Sequence, residues 1–139
     1  MIDPQHPVAR FQQMFALLRP DHPMPLTEVY APTIVFSDPL HHIAGIDALS
    51  AYFERLNANL VEGRFQFTQP LIAADSAWLP WEMTLRLRQS KQPVVVPGCS
   101  QLHFNTQVYR QRDYFDAGAL IYENIPLLGA VIRQIKARV

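Results

Sequence analysis

The sequence predicts an α+β fold in which N-terminal helices cover one face of a mostly antiparallel sheet. Three observations predict it. Apolar residues recur at helical spacing in two stretches, one at the N-terminus and one from Ile46. After Gly63 the period changes to two and holds to about residue 116. Helices therefore come first, and a run of strands joined by turns follows.

Val8, Phe11, Phe15 and Leu18 form one apolar stripe and predict a helix over 7–19. Pro7 suits a first helical turn, and Pro20 ends the run. Thr27 is placed to cap a short helix that stops before Pro32. TIVFS, over 33–37, is β-rich and reads as a strand. Ile46, Leu49, Phe53, Leu56 and Leu60 restore the helical period, with Asp47 favourable in the first turn and Gly63 closing the helix.

RFQFTQPLIAA reads as a strand in which Pro70 marks an edge or a bulge. WEMTLRLR alternates, with Trp81, Met83, Leu85 and Leu87 on one face and Glu82, Thr84, Arg86 and Arg88 on the other. VVVPGCSQLHF follows the SKQP turn, broken at Pro97-Gly98, with Ser100, Leu102 and Phe104 sharing a face. In QVYRQRDYF, Tyr109, Gln111, Asp113 and Phe115 share a face, and Val108, Arg110, Arg112 and Tyr114 share the other. Beyond Gly118, apolar Leu128, Val131, Ile132 and Ile135 give a short amphipathic helix. The chain is read as one domain over 1–139, with 117–139 a C-terminal helical extension.

Composition excludes several function classes. With 139 residues, 49% of them apolar, the chain can bury a real core. Twelve Lys and Arg balance twelve Asp and Glu, so no nucleic-acid partner is indicated. Arg86, Arg88, Arg110 and Arg112 fall on the outer sheet face, but only Tyr114 among them offers a base a stacking surface. No apolar run reaches the roughly 20 residues of a membrane span, and the basic C-terminal helix is expected to pack on its own domain or a dimer rather than a membrane surface. MIDPQHPVARF lacks a signal-peptide pattern and Cys99 is the single cysteine, so a cytoplasmic protein is expected. No phosphate loop or dinucleotide fingerprint occurs, and no cofactor is expected. His41 and His42 are adjacent, and neighbouring side chains of an extended segment point apart, so no metal site is expected either. Cys99 reads as a small strand residue, and Asp38 before Pro39 is by itself ordinary turn chemistry.

Tyr30-Ala31-Pro32, TIVF, Asp38-Pro39, Gly45 and the helix carrying Ala51-Tyr52-Phe53 form a tract that a closing Arg112-Asp113-Tyr114-Phe115-Asp116 completes. Together they resemble the nuclear-transport-factor-2-like superfamily, in its SnoaL-like and ketosteroid-isomerase-like branch. The resemblance implies a cone: a strongly curved sheet with the N-terminal helices on its concave face (a cystatin-like α+β roll), an apolar pocket inside, and a homodimer paired through the outer sheet face. It places Asp38, eight residues after Tyr30, at the general base of ketosteroid isomerases, and Asp113 near the base of the SnoaL-like cyclases. Ser100 stands where the isomerases carry a second carboxylate, and Phe53 where they carry a pocket tyrosine, which argues against steroid isomerisation. Arg112 should face away from Asp113, which argues against epoxide hydrolysis. Asp113 is also open to being an ion-pair partner or a helix cap.

The expected site therefore has Asp38 and Asp113 as catalytic groups, with Tyr30, Tyr52, Phe53, Phe11, Trp81, Met83, Ser100 and Gln111 binding the substrate. The expected function is a cofactor-independent isomerase, cyclase or lyase acting on a small apolar carbonyl compound. The alternatives are a non-catalytic binder of a hydrophobic metabolite and a dimeric interaction module with a filled pocket.

Overall fold

In the computed structural model, residues 2–119 and 137–138 are described, and the expected C-terminal helix lies almost wholly outside them. Three helices, α1 (Pro7–Phe15), α2 (Leu26–Val29) and α3 (Ile46–Ala58), accompany seven strands. These are β1 (Tyr30–Ser37), β2 (His42–Ala44), β3 (Leu60–Phe67), β4 (Leu71–Ile72), β5 (Ser76–Leu87), β6 (Val94–Phe104) and β7 (Val108–Phe115). The sheet runs β2-β1-β7-β6-β5-β3, with β4 on β5. Every pairing is antiparallel except β1 with β7. Among the described residues no helix is long and apolar enough to cross a membrane.

The two longest strands, β5 and β6, form as their alternation predicts. Ala77, Leu79, Trp81, Met83 and Leu85 of β5 are buried beside Val94, Val96, Ser100, Leu102 and Phe104 of β6. α1 and α3 cover that face with Val8, Phe11, Phe15, Leu49 and Phe53, all buried. Burying a side chain of this kind contributes about 1.5–3 kcal/mol, so the sheet–helix layer dominates the fold's stability.

Several boundaries differ from expectation. α1 ends at Phe15 rather than near residue 19, because Leu18 exchanges two backbone hydrogen bonds with Gly63, at 2.7 and 2.8 Å. Gly63 accordingly sits inside β3 and does not close α3; a Cβ there would meet Leu85 Cδ2 at 2.9 Å. The strand expected through Pro70 is two, β3 and β4, with Pro70 in the break. β6 runs unbroken through Pro97 and Gly98. In β7 a bulge between the pairs His103–Arg110 and Phe104–Val108 leaves Tyr109 unpaired. Val108 is consequently buried and Tyr109 exposed, the reverse of simple alternation.

The outer sheet face also departs from expectation. β5 begins at Ser76, which brings Trp78 onto that face, where its ring stacks 6.0 Å from that of Tyr114. The Arg112 guanidinium lies 5.2 Å above the Tyr114 ring. Three exposed rings, Trp78, Tyr109 and Tyr114, stand near the arginines rather than one.

Gly98 sets the position of Trp81. The two are paired across β6 and β5, and a Cβ on Gly98 would lie 2.2 Å from Trp81 Cη2 and 2.7 Å from the Tyr114 carbonyl oxygen. The indole therefore lies flat over bare backbone. Gly98→Ala is expected to destabilise the protein by about 1–3 kcal/mol. Thermal unfolding should show Tm lowered by about 4 °C or more; an unchanged Tm would mean that the ring does not occupy this space.

Candidate functional site

Sheet register assembles one half of the site. Ser100 of β6 pairs directly with Asp113 of β7, and Gly98 with Phe115. Trp81 Nε1 donates to Ser100 Oγ at 2.9 Å, and Ser100 Oγ donates to Asp113 Oδ1 at 2.6 Å. Gln111 Nε2 donates to the same oxygen at 2.9 Å, and the Tyr30 hydroxyl donates to Gln111 Oε1. Oδ1 of Asp113 is thus committed to two donors, and no hydrogen-bond partner of Oδ2 occurs among the described residues. Burial pushes the Asp113 carboxyl up to about 6; the Ser100 and Gln111 donors oppose that and the charge of Asp38 adds to it.

The other half is the loop that leaves β1. Asp38 Oδ1 accepts from Leu40 N at 2.8 Å and His41 N at 2.7 Å, while Asp38 N donates to the His41 carbonyl at 3.0 Å. This is an Asp-anchored turn, so the bland reading of Asp-Pro is correct as far as it goes. The turn does not expose the side chain. Asp38 is only 3% exposed there, with His41 Nδ1 3.0 Å from Oδ1 and the Tyr52 hydroxyl 3.5 Å from Oδ2. The His41 ring packs against Tyr52 in a tilted arrangement, with centroids 4.7 Å apart. The two histidines diverge as expected, His42 Nδ1 lying 2.9 Å from Ser37 Oγ. Gly45, at φ 92°, turns the chain into α3, which carries Tyr52, Phe53 and Leu56 over the sheet. Burial, followed by the charges of Asp38 and Asp113, holds the Tyr52 phenol well above its ordinary range, so it acts as a donor and stays protonated.

Asp38 and Asp113 line one cavity of about 60 Å³, together with Tyr52, Phe53, Trp81 and Met83. Its remaining walls include Phe36, Phe65 and Phe115. The space takes a molecule of a few heavy atoms. Four residues expected to touch a substrate do not line it. Tyr30, Phe11, Ser100 and Gln111 are 1–2% exposed and sit behind the wall, where Tyr30, Ser100 and Gln111 are tied into the hydrogen-bond chain that ends on Asp113. Phe15, Leu18, Phe36, Leu56, Phe65, Leu85 and Phe115 also line it and were not among the expected site residues; β3 register brings in Phe65 and the α3 face Leu56, and neither carries a chemical signal of its own. Cys99 lies outside this wall, and burial pushes its thiol up, away from a nucleophile's range. A larger groove of about 320 Å³, open to solvent among Arg10, Gln13, His22 and Glu28, is touched by neither aspartate.

The sequence pattern of the SnoaL-like domain matches residues 11–107. The chain belongs to the SnoaL-like domain family. No curated protein matches it in sequence. Solved structures share the fold. A hypothetical protein with a ketosteroid isomerase-like fold from Catenulispora acidiphila, in complex with trimethylamine, is 15% identical with a TM-score of 0.72, over 85% of this chain and 91% of that one. A putative SnoaL-like polyketide cyclase from Jannaschia is 16% identical with a TM-score of 0.71, over 90% and 96%. One from Shewanella putrefaciens is 14% identical with a TM-score of 0.70, over 86% and 84%. The curved, mostly antiparallel sheet and its covering helices thus have the ketosteroid isomerase-like fold of these structures.

The SnoaL-like cavity carries a pH signature. A carboxyl that titrates near 6 when folded and near 3.8 when unfolded holds its proton more tightly in the native state. Its stabilising contribution is therefore complete below about pH 4 and is lost as pH rises through 6. Asp113→Asn keeps an acceptor for Ser100 and Gln111 but removes the buried charge. It is expected to raise stability over the parent at pH 8 by up to about 3 kcal/mol and to change little at pH 4. Urea unfolding at the two pH values reads this; equal effects at both would place Asp113 in water.

Proposed function

We propose that this SnoaL-like domain is a proton-transfer enzyme, an isomerase, cyclase or lyase that works without a cofactor on a small apolar carbonyl compound. The observation that carries the reading is that the acids ending β1 and closing β7 line the same cavity, each with Oδ1 committed to fixed donors. A transferred proton is therefore received at Oδ2 of either group. Asp38 Oδ2 removes the proton next to the carbonyl. The Tyr52 hydroxyl, and Asp113 in its protonated form, donate to the oxygen on which charge develops. Ketosteroid isomerases divide the work similarly, between an Asp base and a neutral acid on the oxyanion. Here the neighbouring strand supplies the acid: Ser100 occupies the position of the second carboxylate and hydrogen-bonds to Asp113 directly opposite it.

A non-catalytic binder is the second reading, favoured by the ring-lined walls. The Catenulispora neighbour is described in complex with trimethylamine. In this cavity a small amine would meet both aromatic faces and carboxylates. Ligand recovered unmodified by native mass spectrometry would favour it.

Deuterium exchange into acetone in D₂O, followed by NMR, tests the catalytic reading with the simplest carbonyl probe. Exchange above buffer is expected, falling by about 100-fold or more in Asp38→Asn. Equal rates in parent and variant would remove Asp38 from the chemistry.

The same proposal includes a homodimer through the outer sheet face, where Trp78 and Tyr114 stack in the open beside exposed Leu71. Sedimentation is expected to find a dimer that Trp78→Glu converts to monomer, and a monomeric parent would contradict it.

A further inference from the structure

The geometry points to His41 as the route by which buried Asp38 exchanges protons with bulk water. This rests on the proton-transfer reading above and adds to it the step that resets the base.

A base whose side chain is only 3% exposed needs a path for its proton. Among the described residues, four groups touch the Asp38 carboxylate. The Leu40 and His41 backbone amides donate hydrogen bonds and carry no proton away. The Tyr52 hydroxyl, 3.5 Å from Oδ2, is buried beside two carboxylates and stays protonated. The fourth is the His41 imidazole, with Nδ1 at 3.0 Å from Oδ1 and 3.3 Å from Oδ2. It alone among them has a second protonatable atom, and its side chain is 38% exposed. An imidazole changes protonation readily near neutral pH. Asp113 is the other titratable group facing Asp38, and it is held within the wall by Ser100 and Gln111.

The transfer balances without a further reagent. A proton on Asp38 passes to an unprotonated Nδ1, which leaves the carboxylate and an imidazolium. The imidazolium then releases its Nε2 proton to water. Run in reverse, a solvent proton taken up at Nε2 sends the Nδ1 proton to Asp38. The tilted ring contact with Tyr52 and the backbone bond from His41 N hold the ring in this bridging position. His41 is thus a positioning and relay residue that acts through Asp38, without touching the reacting atoms itself.

Acetone exchange in D₂O separates this relay from a purely structural role. His41→Asn keeps a side-chain donor near Asp38 but no second protonatable atom, and exchange should slow by about tenfold or more. In His41→Ala, added imidazole is expected to restore exchange in a concentration-dependent way, which a lost structural contact would not allow. Unfolding curves for both variants check that the fold persists. If the parent exchanges acetone and His41→Asn matches it, or if imidazole leaves His41→Ala unchanged, the relay is overturned while the proton-transfer reading stands. If the parent itself fails to exchange acetone, both fall.

Discussion

Two carboxylates enclosed among aromatic rings are the constraint around which this chain is organised. A buried carboxylate is tolerated only where donors meet it, so each acid requires its own local scaffold. For Asp38 that scaffold is a turn whose backbone amides point at Oδ1. For Asp113 it is a row in which Ser100 and Gln111 donate to a single oxygen and Trp81 in turn donates to Ser100. Both solutions leave one oxygen for other work. The packing follows from that need: Gly98 lets the indole of Trp81 lie where its nitrogen reaches Ser100, and Tyr30 engages the Gln111 oxygen so that the amide nitrogen faces Asp113.

The two halves of the site differ in how they are held. Asp113 lies within β7, paired with Ser100 of β6 and one residue past the last β1 pair, Ser37–Arg112. Asp38 lies on a loop between β1 and the short strand β2, held mainly by local contacts and by Tyr52 from α3. Loops carry chemistry more readily than strands because they adjust without disturbing a core. In the reaction proposed above, the strand-held acid and the loop-held acid take different tasks, one stabilising charge and the other moving a proton.

Much of this was legible in the sequence, and the misses have definable causes. Period-two alternation identified the inward faces of β5 and β6, because one side of each strand is buried and the other is not. It failed at Tyr109, where a bulge inserts a residue that no local pattern announces. Helical spacing carried α1 too far, since Leu18 satisfies the period yet finds its backbone partner in Gly63, far along the chain. Asp38 and Asp113 were identifiable through the family resemblance, and both line the cavity. Tyr30, Ser100 and Gln111 were expected beside the ligand, but their hydroxyls and amide are consumed by the support of Asp113. That distinction depends on register, the opposition of Ser100 to Asp113, and one strand read alone contains no register.

Titration of the Asp113 carboxyl by ¹³C NMR, in the parent and in Asp38→Asn, tests most directly whether the two acids share one apolar chamber. The chamber predicts a midpoint near 6 in the parent and a lower one once the neighbouring negative charge is removed. A midpoint near 3.8, the value of an unburied aspartate, unmoved by the Asp38 substitution, would contradict it.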